Sequence, residues 1–297
     1  MRLSCSIVCY RNTPAQIAQV LGSVASTGIE AALYMIDNSP TDALAQVANR
    51  FGATYIHLPH NPGFGSAHNI AMQEAFKKDS QFHLVLNPDI RFSENVIPTL
   101  LDYMERHSEI GLVMPNTFYP DGRQQYLCKL LPNPVDLMIR RFFPALFRLS
   151  GRLAWYEMHS SGYDKIMDVP ALSGCFMLMR TATLRQTGCF DERFFMYLED
   201  VDLSRRIGRV ARTVYFPYVS VIHEYGKGSY KSLKLLYYHA RSAVLYFNKW
   251  GWFSDPEKDA INQQAYGNDV RARNILNGTV PPPKSASRLY HLLDAKA

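Results

Sequence analysis

Apolar and polar positions in the first half of the chain switch regularly between two periods. Leu3–Cys9 has the β-branched, apolar character of a strand. Thr13-Pro14-Ala15-Gln16 then opens a helix: Thr13 can cap it, Pro14 suits its first position and Gln16 completes a capping box. Ile17, Val20, Leu21 and Val24 follow at helical spacing. The same rhythm predicts strands over Ala32–Ile36, Thr54–Leu58, Phe82–Leu86 and Ile110–Met114. It predicts helices over Ala43–Phe51, from Ser66 to Phe76, and through Val96, Leu100 and Met104. Asp37-Asn38-Ser39-Pro40, Asn61-Pro62-Gly63-Phe64-Gly65 and Asn87-Pro88-Asp89 are the intervening turn signals. Such β-α-β-α alternation predicts an α/β fold, an open and mostly parallel sheet with helices on both faces. Sheets of this kind bind ligands at the carboxyl ends of their strands. Tyr10-Arg11-Asn12, Asp37-Asn38 and Asn87-Pro88-Asp89 fall at those ends.

The stretch 117–167 is less regular. Beyond it a strand over Cys175–Arg180, a helical turn over Thr181–Thr187 closed by Gly188, and a helix over Glu199–Val210 are expected. Thr213–Pro217 and Val219–His223 read as two short strands, and Lys231–Lys249 as a helix with Leu233, Leu236, Tyr237 and Ala240 on one face. The tail beyond about 278, with Pro281-Pro282-Pro283, carries few ordering signals. The expected division is one α/β domain over 1–224 and a helical, basic-aromatic extension over 225–297.

Composition narrows the class. Over 297 residues, 47% hydrophobic and 20% charged is ordinary for a globular protein and excludes disorder and collagen-like repeats. No run approaches the ~18 apolar residues of a membrane span. The opening MRLSCSIVCYRN is too short and too quickly charged for a signal peptide and lacks a cleavage site, so a cytoplasmic location is expected. Cys5, Cys9, Cys128, Cys175 and Cys189 have no metal-ligand spacing and read as buried free thiols. The sequon at Asn277 carries no weight without a secretion signal. A net charge of +6 admits anionic partners. Tyr225–Ser254 has no acidic residue, but holds Lys227, Lys231, Lys234, Arg241 and Lys249 among aromatics. Arg140–Arg152 adds Phe142, Phe143, Leu146 and Phe147. Such segments suit an anionic membrane surface, or else turn their aromatics to the core and leave the cations as a solvated rim.

Three absences exclude common nucleotide and hydrolase sites. The first strand is not followed by G-x-G-x-x-G, no Walker A loop is complete, and there is no G-x-S-x-G elbow. The densest chemistry lies in Phe190–Leu203, where Asp191, Glu192, Glu199, Asp200 and Asp202 sit among large apolar side chains. Apolar walls tune carboxylates toward general-base work, although Glu199, Asp200 and Asp202 also suit the acidic first turn of a helix. Asp89, directly after a strand, fits a hard divalent cation sharing diphosphate oxygens, or closes a simple turn. Asp37 can accept from a base NH or a ribose hydroxyl, or cap its own turn. The glycines of Asn61–Gly65 allow close backbone approach to a ligand, and His68 and Asn69 behind them call for one. His223 ends a strand, and Leu172-Ser173-Gly174-Cys175 is a small-residue turn that lets a substrate approach backbone.

In order, SIVCYRN, DNSPTD, NPGFGSAHN, LVLNPDI, SGCFMLMR and GCFDERFFMYLEDVDLSRRI resemble family 2 inverting glycosyltransferases of the GT-A fold, over about residues 3–247. The subgroup resembled is the bacterial rhamnosyltransferase-like set that builds O-antigen, capsule and cell-wall linkage glycans. The resemblance implies a donor site at Tyr10, Arg11, Asp37, Gly65, Asn69, Asn87, Asp89 and Gly174. It implies Asp200 as catalytic base beside Glu199, and Mg²⁺ or Mn²⁺ at Asp89 with His223, neighbouring Glu224 being a substitute. Asn87 stands where the family's D-x-D has its first aspartate, leaving Asp89 as the one anchoring carboxylate. Implied partners are a dTDP- or UDP-type sugar donor, with dTDP-rhamnose as the leading choice, and a glycan or polyprenyl-diphosphate-linked acceptor at the inner face of the plasma membrane. Rival readings are a catalytically degenerate membrane-associated scaffold and a sugar nucleotidylyltransferase. The latter needs a Gly- and Arg-rich loop that Tyr10-Arg11-Asn12-Thr13-Pro14 does not supply. Nucleic acid is not an expected partner, because no recognised binding motif is present.

Overall fold

The computed structural model describes residues 1–142, 150–224 and 233–266. In chain order the elements are β1 (Leu3–Cys9), α1 (Pro14–Ser26), β2 (Ala31–Asp37), α2 (Ala45–Arg50), β3 (Thr54–His57), α3 (Phe64–Lys77) and β4 (Phe82–Leu86). Then come β5 (Ile90–Phe92), α4 (Val96–Arg106), β6 (Ile110–Phe118), α5 (Pro134–Phe142) and α6 (Arg152–Tyr156). A 3₁₀ turn (His159–Ser161), β7 (Met167–Asp168), β8 (Phe176–Arg180), α7 (Thr181–Thr187), α8 (Glu199–Gly208), β9 (Arg212–His223), α9 (Leu233–Trp250) and α10 (Pro256–Tyr266) complete the described chain.

One sheet runs in the order β3-β2-β1-β4-β8-β6-β9-β5, with β7 beside β9. The α/β expectation holds, and its parallel part is β3-β2-β1-β4 together with the β6–β9 pair. Strand β8 runs antiparallel to both β4 and β6. It is reached through the long 119–175 segment, which returns the chain to the sheet in the opposite sense. The Thr13–Gln16 capping box forms as the sequence predicts.

Alternation on β1 sorts its two faces. Leu3, Cys5, Ile7 and Cys9 pack with Ile17 and Leu21 of α1 and Leu100 of α4. Ser4 and Ser6 face the other way, equally buried. They are satisfied through a chain: Ser4 Oγ to His83 Nδ1 (2.7 Å), His83 Nε2 to Ser6 Oγ (2.9 Å), and Ser6 Oγ to His68 Nδ1 (2.7 Å). Burial pushes the imidazole of His83 down to about 3 and lowers His68 as well, so both are neutral hydrogen-bonding groups. The contact seats α3, and with it the loop before α3, on the central strand. His68 therefore has a protein partner, and needs no ligand to explain it.

Several expectations are corrected. Helix α3 starts at Phe64, two residues before the expected Ser66, because the Phe64 N–H donates to Phe195 O at 2.9 Å and Gly63 takes φ +102°. Asn87-Pro88-Asp89 does not end the sheet: β5 follows and pairs with β9. The two short strands expected after 212 are the single strand β9. Its register against β6 jumps from Pro115↔Phe216 to Asn116↔Ser220, at Pro217, which has no N–H for the ladder. The irregular 117–167 stretch contains α5 and α6. On α9, Leu233, Tyr237 and Ala240 are exposed and Leu236 is half-buried, while the buried residues are Ser242, Tyr246 and Phe247. The expected weakly ordered tail, the sequon at Asn277, residues 143–149 of the Arg140–Arg152 cluster and Lys227 and Lys231 lie outside the described residues. No helix among the described residues is long and apolar enough to cross a membrane. Cys5, Cys9, Cys128 and Cys175 are buried free thiols, and Cys189 is a half-buried one.

Candidate active site

The carboxyl ends of β1, β2 and β4 converge. Cys9 is level with Asp37 across β1–β2, and Asn38 N–H donates to Cys9 O at 2.9 Å. Tyr10 and Arg11 lie just beyond, Arg11 at φ +57° with its N–H on Ser39 Oγ (2.8 Å) and its guanidinium over the exposed Tyr10 ring. Asp37 is fully buried; it accepts from Ser39 N–H (2.9 Å) and Tyr55 OH (2.8 Å). The exposed Tyr10 and Arg11 thus line the rim, and Asp37 builds its floor.

Beside them Asn87, Asp89 and His223 come together. Gln125 fixes the tautomer of His223. Its Nε2 donates to the carbonyl of His223 (2.7 Å), which can only accept, so its Oε1 faces His223 Nδ1 at 3.0 Å and must receive a proton. In the neutral ring Nε2 then bears the lone pair. Asn87 Nδ2 donates to that lone pair at 3.3 Å, and Asp89 Oδ1 also lies 3.3 Å from the same nitrogen. That carboxylate oxygen is buried and makes no hydrogen bond. A buried carboxylate oxygen with no hydrogen-bond donor, set beside an imidazole nitrogen, is an arrangement that a cation relieves. Among the described residues no three His, Cys, Asp or Glu side chains gather as a complete metal site. The protein thus offers one oxygen and one nitrogen, fitting an ion that completes its shell from ligand oxygens. Glu224 is adjacent, its N–H on Asp89 O at 3.0 Å.

The acidic segment is sorted by its partners. Asp191 is held by Arg193 (2.6 Å) and Lys249 (3.0 Å), Asp202 by Arg206 (2.9 Å), Lys249 (2.8 Å) and Trp250 Nε1 (2.8 Å), and Glu192 by Asn69 (3.0 Å). Of the five, Glu199 and Asp200 alone have no side-chain partner among the described residues. Glu199 is buried with Oε2 unpartnered, and burial, then the neighbouring Asp200 carboxylate, push its pKa well above the usual range. Asp200 is half-buried and is aimed by two main-chain donors, Gly174 N–H on Oδ2 (3.0 Å) and Val201 N–H on Oδ1 (2.9 Å). A Cβ on Gly174 would lie 3.4 Å from Asp200 Cβ, so the small-residue turn lets this carboxylate close on the loop.

Gly65 and Asn69, expected at the donor, face protein instead. A Cβ on Gly65 would lie 2.8 Å from Phe190 Cβ, and one on Gly63 would lie 2.4 Å from Phe195 O. Asn69 bonds both Phe190 O (2.9 Å) and Phe190 N–H (3.0 Å). This loop therefore places the acidic segment. Tyr197 and Leu198 follow with φ +73° and +66°, left-handed positions that cost ~1–2 kcal/mol each for such residues. Helix α9 holds the bend: Ser242 Oγ donates to Met196 O (2.8 Å), and Leu198 packs with Tyr246 and Phe247. Sequence reading did not find Gln125 or the supports on α9 and α10, because no local motif marks them.

Comparison with known proteins identifies the family. Residues 5–176 match glycosyl transferase family 2. The chain is 28% identical over 246 residues to the N-acetylglucosaminyl-diphospho-decaprenol L-rhamnosyltransferase of Mycobacterium tuberculosis, covering 75% of this chain and 77% of that protein. It is 27% identical over 240 residues to the rhamnosyltransferase WbbL of Escherichia coli K12, covering 76% and 85%. Among solved structures, GalNAc-T7 with UDP, GalNAc and Mn²⁺ superposes with a TM-score of 0.59 at 15% identity, over 95% of this chain. The chain spans only 59% of GalNAc-T7, and this likeness bears on the fold, the GT-A fold expected from the sequence. A family match over residues 5–176, more than half of the chain and including the strands that end at Asp37 and just before Asp89, places this chain in glycosyl transferase family 2.

Proposed function

We propose that this glycosyltransferase moves rhamnose from dTDP-rhamnose to a sugar carried on a polyprenyl diphosphate, in bacterial surface polysaccharide synthesis, with inversion at the anomeric carbon. The observation that carries the reading is Asp200, an accessible carboxylate aimed by Gly174 and Val201 at the carboxyl end of the sheet. The donor and acceptor choice follows the relatives that act on rhamnose and a diphospho-decaprenol-linked sugar. Tyr10, Arg11 and Asp37 would receive the nucleoside. Asp200 would take the proton of the acceptor hydroxyl as that oxygen attacks from the face opposite the leaving diphosphate. A single in-line displacement needs no covalent enzyme intermediate. Asp89 and His223 would hold a divalent cation, whose chemistry when bound is to offset charge on the leaving nucleoside diphosphate. A nitrogen ligand suits Mn²⁺ better than Mg²⁺, which takes oxygen.

Calorimetry with dTDP, UDP and GDP, with and without Mn²⁺, tests the reading. Binding of dTDP should be strongest and Mn²⁺-enhanced, and Asp89→Ala should lose the enhancement. Preference for GDP would discard rhamnose; no nucleotide binding would favour the degenerate scaffold.

The same reading sets the enzyme in the cytoplasm on an anionic membrane surface, where a polyprenyl acceptor resides. Val135 and Met138 on α5 are 56% and 62% exposed, and α9, which packs on α5, exposes Leu233 and Tyr237 beside Lys234 and Arg241. Co-flotation with phosphatidylglycerol vesicles at low salt is expected; protein left at the bottom of the gradient would remove this part of the reading.

A further inference from the structure

Lys129 takes part in none of the contacts described so far. Its backbone pairs in both directions with Ala171 (2.9 and 3.0 Å), three residues before Gly174, whose N–H aims Asp200. The next residue, Leu130, donates its N–H to Tyr156 O at 3.0 Å, and the Arg140 guanidinium lies 5.6 Å from the centre of the Tyr156 ring. The Lys129 backbone thus lies beside the segment leading to the loop that holds Asp200, and Arg140, stacked on the Tyr156 ring, is the neighbouring cation. Of the acids nearby, Asp136 pairs with Arg152 (2.6 Å) and Glu157 contacts His159 (3.2 Å), while Asp200 is held by main-chain donors alone. Lys129 itself, half-buried, makes no side-chain hydrogen bond or ion pair with any described residue. Burial, and then the charge of Arg140, lower its pKa, against the pull of Asp200 and Glu157. An ammonium partly withdrawn from water, beside a second cation and with no hydrogen bond or close ion pair of its own, is stabilised further by an anionic ligand.

We propose that Lys129 is a diphosphate-binding residue, set beside Asp200 to hold the anionic group of a reacting partner. This rests on the function proposed above, which supplies diphosphates from two sources, the lipid-linked acceptor and the nucleotide donor. Lys129 gives this group a point charge with three donors, and Arg140 adds to the local field.

The test is calorimetric titration of the wild type, Lys129→Gln and Lys129→Arg with inorganic pyrophosphate, geranyl diphosphate, dTDP and UDP. Lys129→Gln should weaken pyrophosphate roughly 10- to 100-fold, the worth of one charge-assisted hydrogen bond, and Lys129→Arg should stay within a few-fold of wild type. A loss shared with geranyl diphosphate alone assigns the site to the acceptor, and a loss shared with dTDP and UDP alone assigns it to the donor; either supports the proposal. Unchanged titrations in Lys129→Gln, or no diphosphate binding by the wild type, overturn it. Wild-type rhamnosyl transfer together with unchanged titrations would sink Lys129 and leave the function standing. Lys129-dependent binding without any sugar transfer would do the reverse. Thermal melting checks each variant, and Lys129→Met replaces Lys129→Gln if the latter melts early.

Discussion

Asp200→Asn will fold as the wild type does and lose sugar transfer by roughly 10²–10⁴-fold, the usual worth of a positioned general base. The amide keeps the shape of the side chain, and its oxygen can still accept from Gly174 or Val201. What disappears is the capacity to take a proton from the attacking hydroxyl. Donor affinity should be nearly unchanged, so the loss falls on turnover. The assay is release of dTDP in the presence of acceptor, with binding of dTDP measured beside it. Turnover within threefold of wild type would remove Asp200 from the role. Glu199 is a poor substitute, because it is buried where an acceptor hydroxyl does not reach it, and burial and then the Asp200 carboxylate raise its pKa.

The second large effect is expected far from the reacting atoms. Arg205 on α8 is almost fully buried; it grips Asp255 through two hydrogen bonds of 2.6 Å, reaches Glu257 at 2.7 Å, and stacks 4.1 Å from the centre of the Trp250 ring. Arg209 adds a 2.6 Å pair to Glu257. These contacts tie α9 and α10 to the helix that begins with Glu199 and Asp200. Arg205→Met should destabilise the protein by about 3–5 kcal/mol, because it leaves acidic partners unpaired in a site built around a cation. Urea unfolding measures this, and a loss under 1 kcal/mol would show that the clamp is decorative. Acid should loosen the same contact. Arg209 and Arg205, working against burial, pull Glu257 down from its ordinary 4.5 to about 2. The folded state thus binds the proton more weakly than the unfolded chain does. The stabilisation is fully present above pH 4.5 and is lost as pH falls through 2. Residues 233–266, separated from the α/β domain in the sequence-based division, are on this account needed to hold its catalytic helix.

Local signals reached far in this chain. The Thr13–Gln16 box, the alternation of β1 and the helical spacing of Ile17, Val20, Leu21 and Val24 are short-range patterns, and each forms as its residues dictate. Asp37, Asp89 and Asp200 were legible as candidates because a carboxylate at a strand end or helix start is a local feature. What those residues touch was not legible. The Asn61–Gly65 glycines suggested a ligand, yet Gly63 and Gly65 admit Phe195 and Phe190, which come from about 125 residues away in sequence. The five carboxylates between 190 and 203 look alike along the chain, and only their partners Asn69, Arg193, Arg206 and Lys249 separate the three held supports from Glu199 and Asp200. The same holds for α9, whose apolar N-terminal face the periodicity marks but whose exposure depends on which elements pack over it. The sequence by itself determined the α/β rhythm, the caps, the free thiols and the family, since these rest on neighbours within a turn or on short motifs in order. Only the tertiary structure decided the antiparallel β8, the His223 tautomer that Gln125 sets beside Asp89, the clamp around Arg205 and the place of Lys129 near the Asp200 loop. Each of these depends on long-range packing, where burial and distance, rather than residue type, set the free energy.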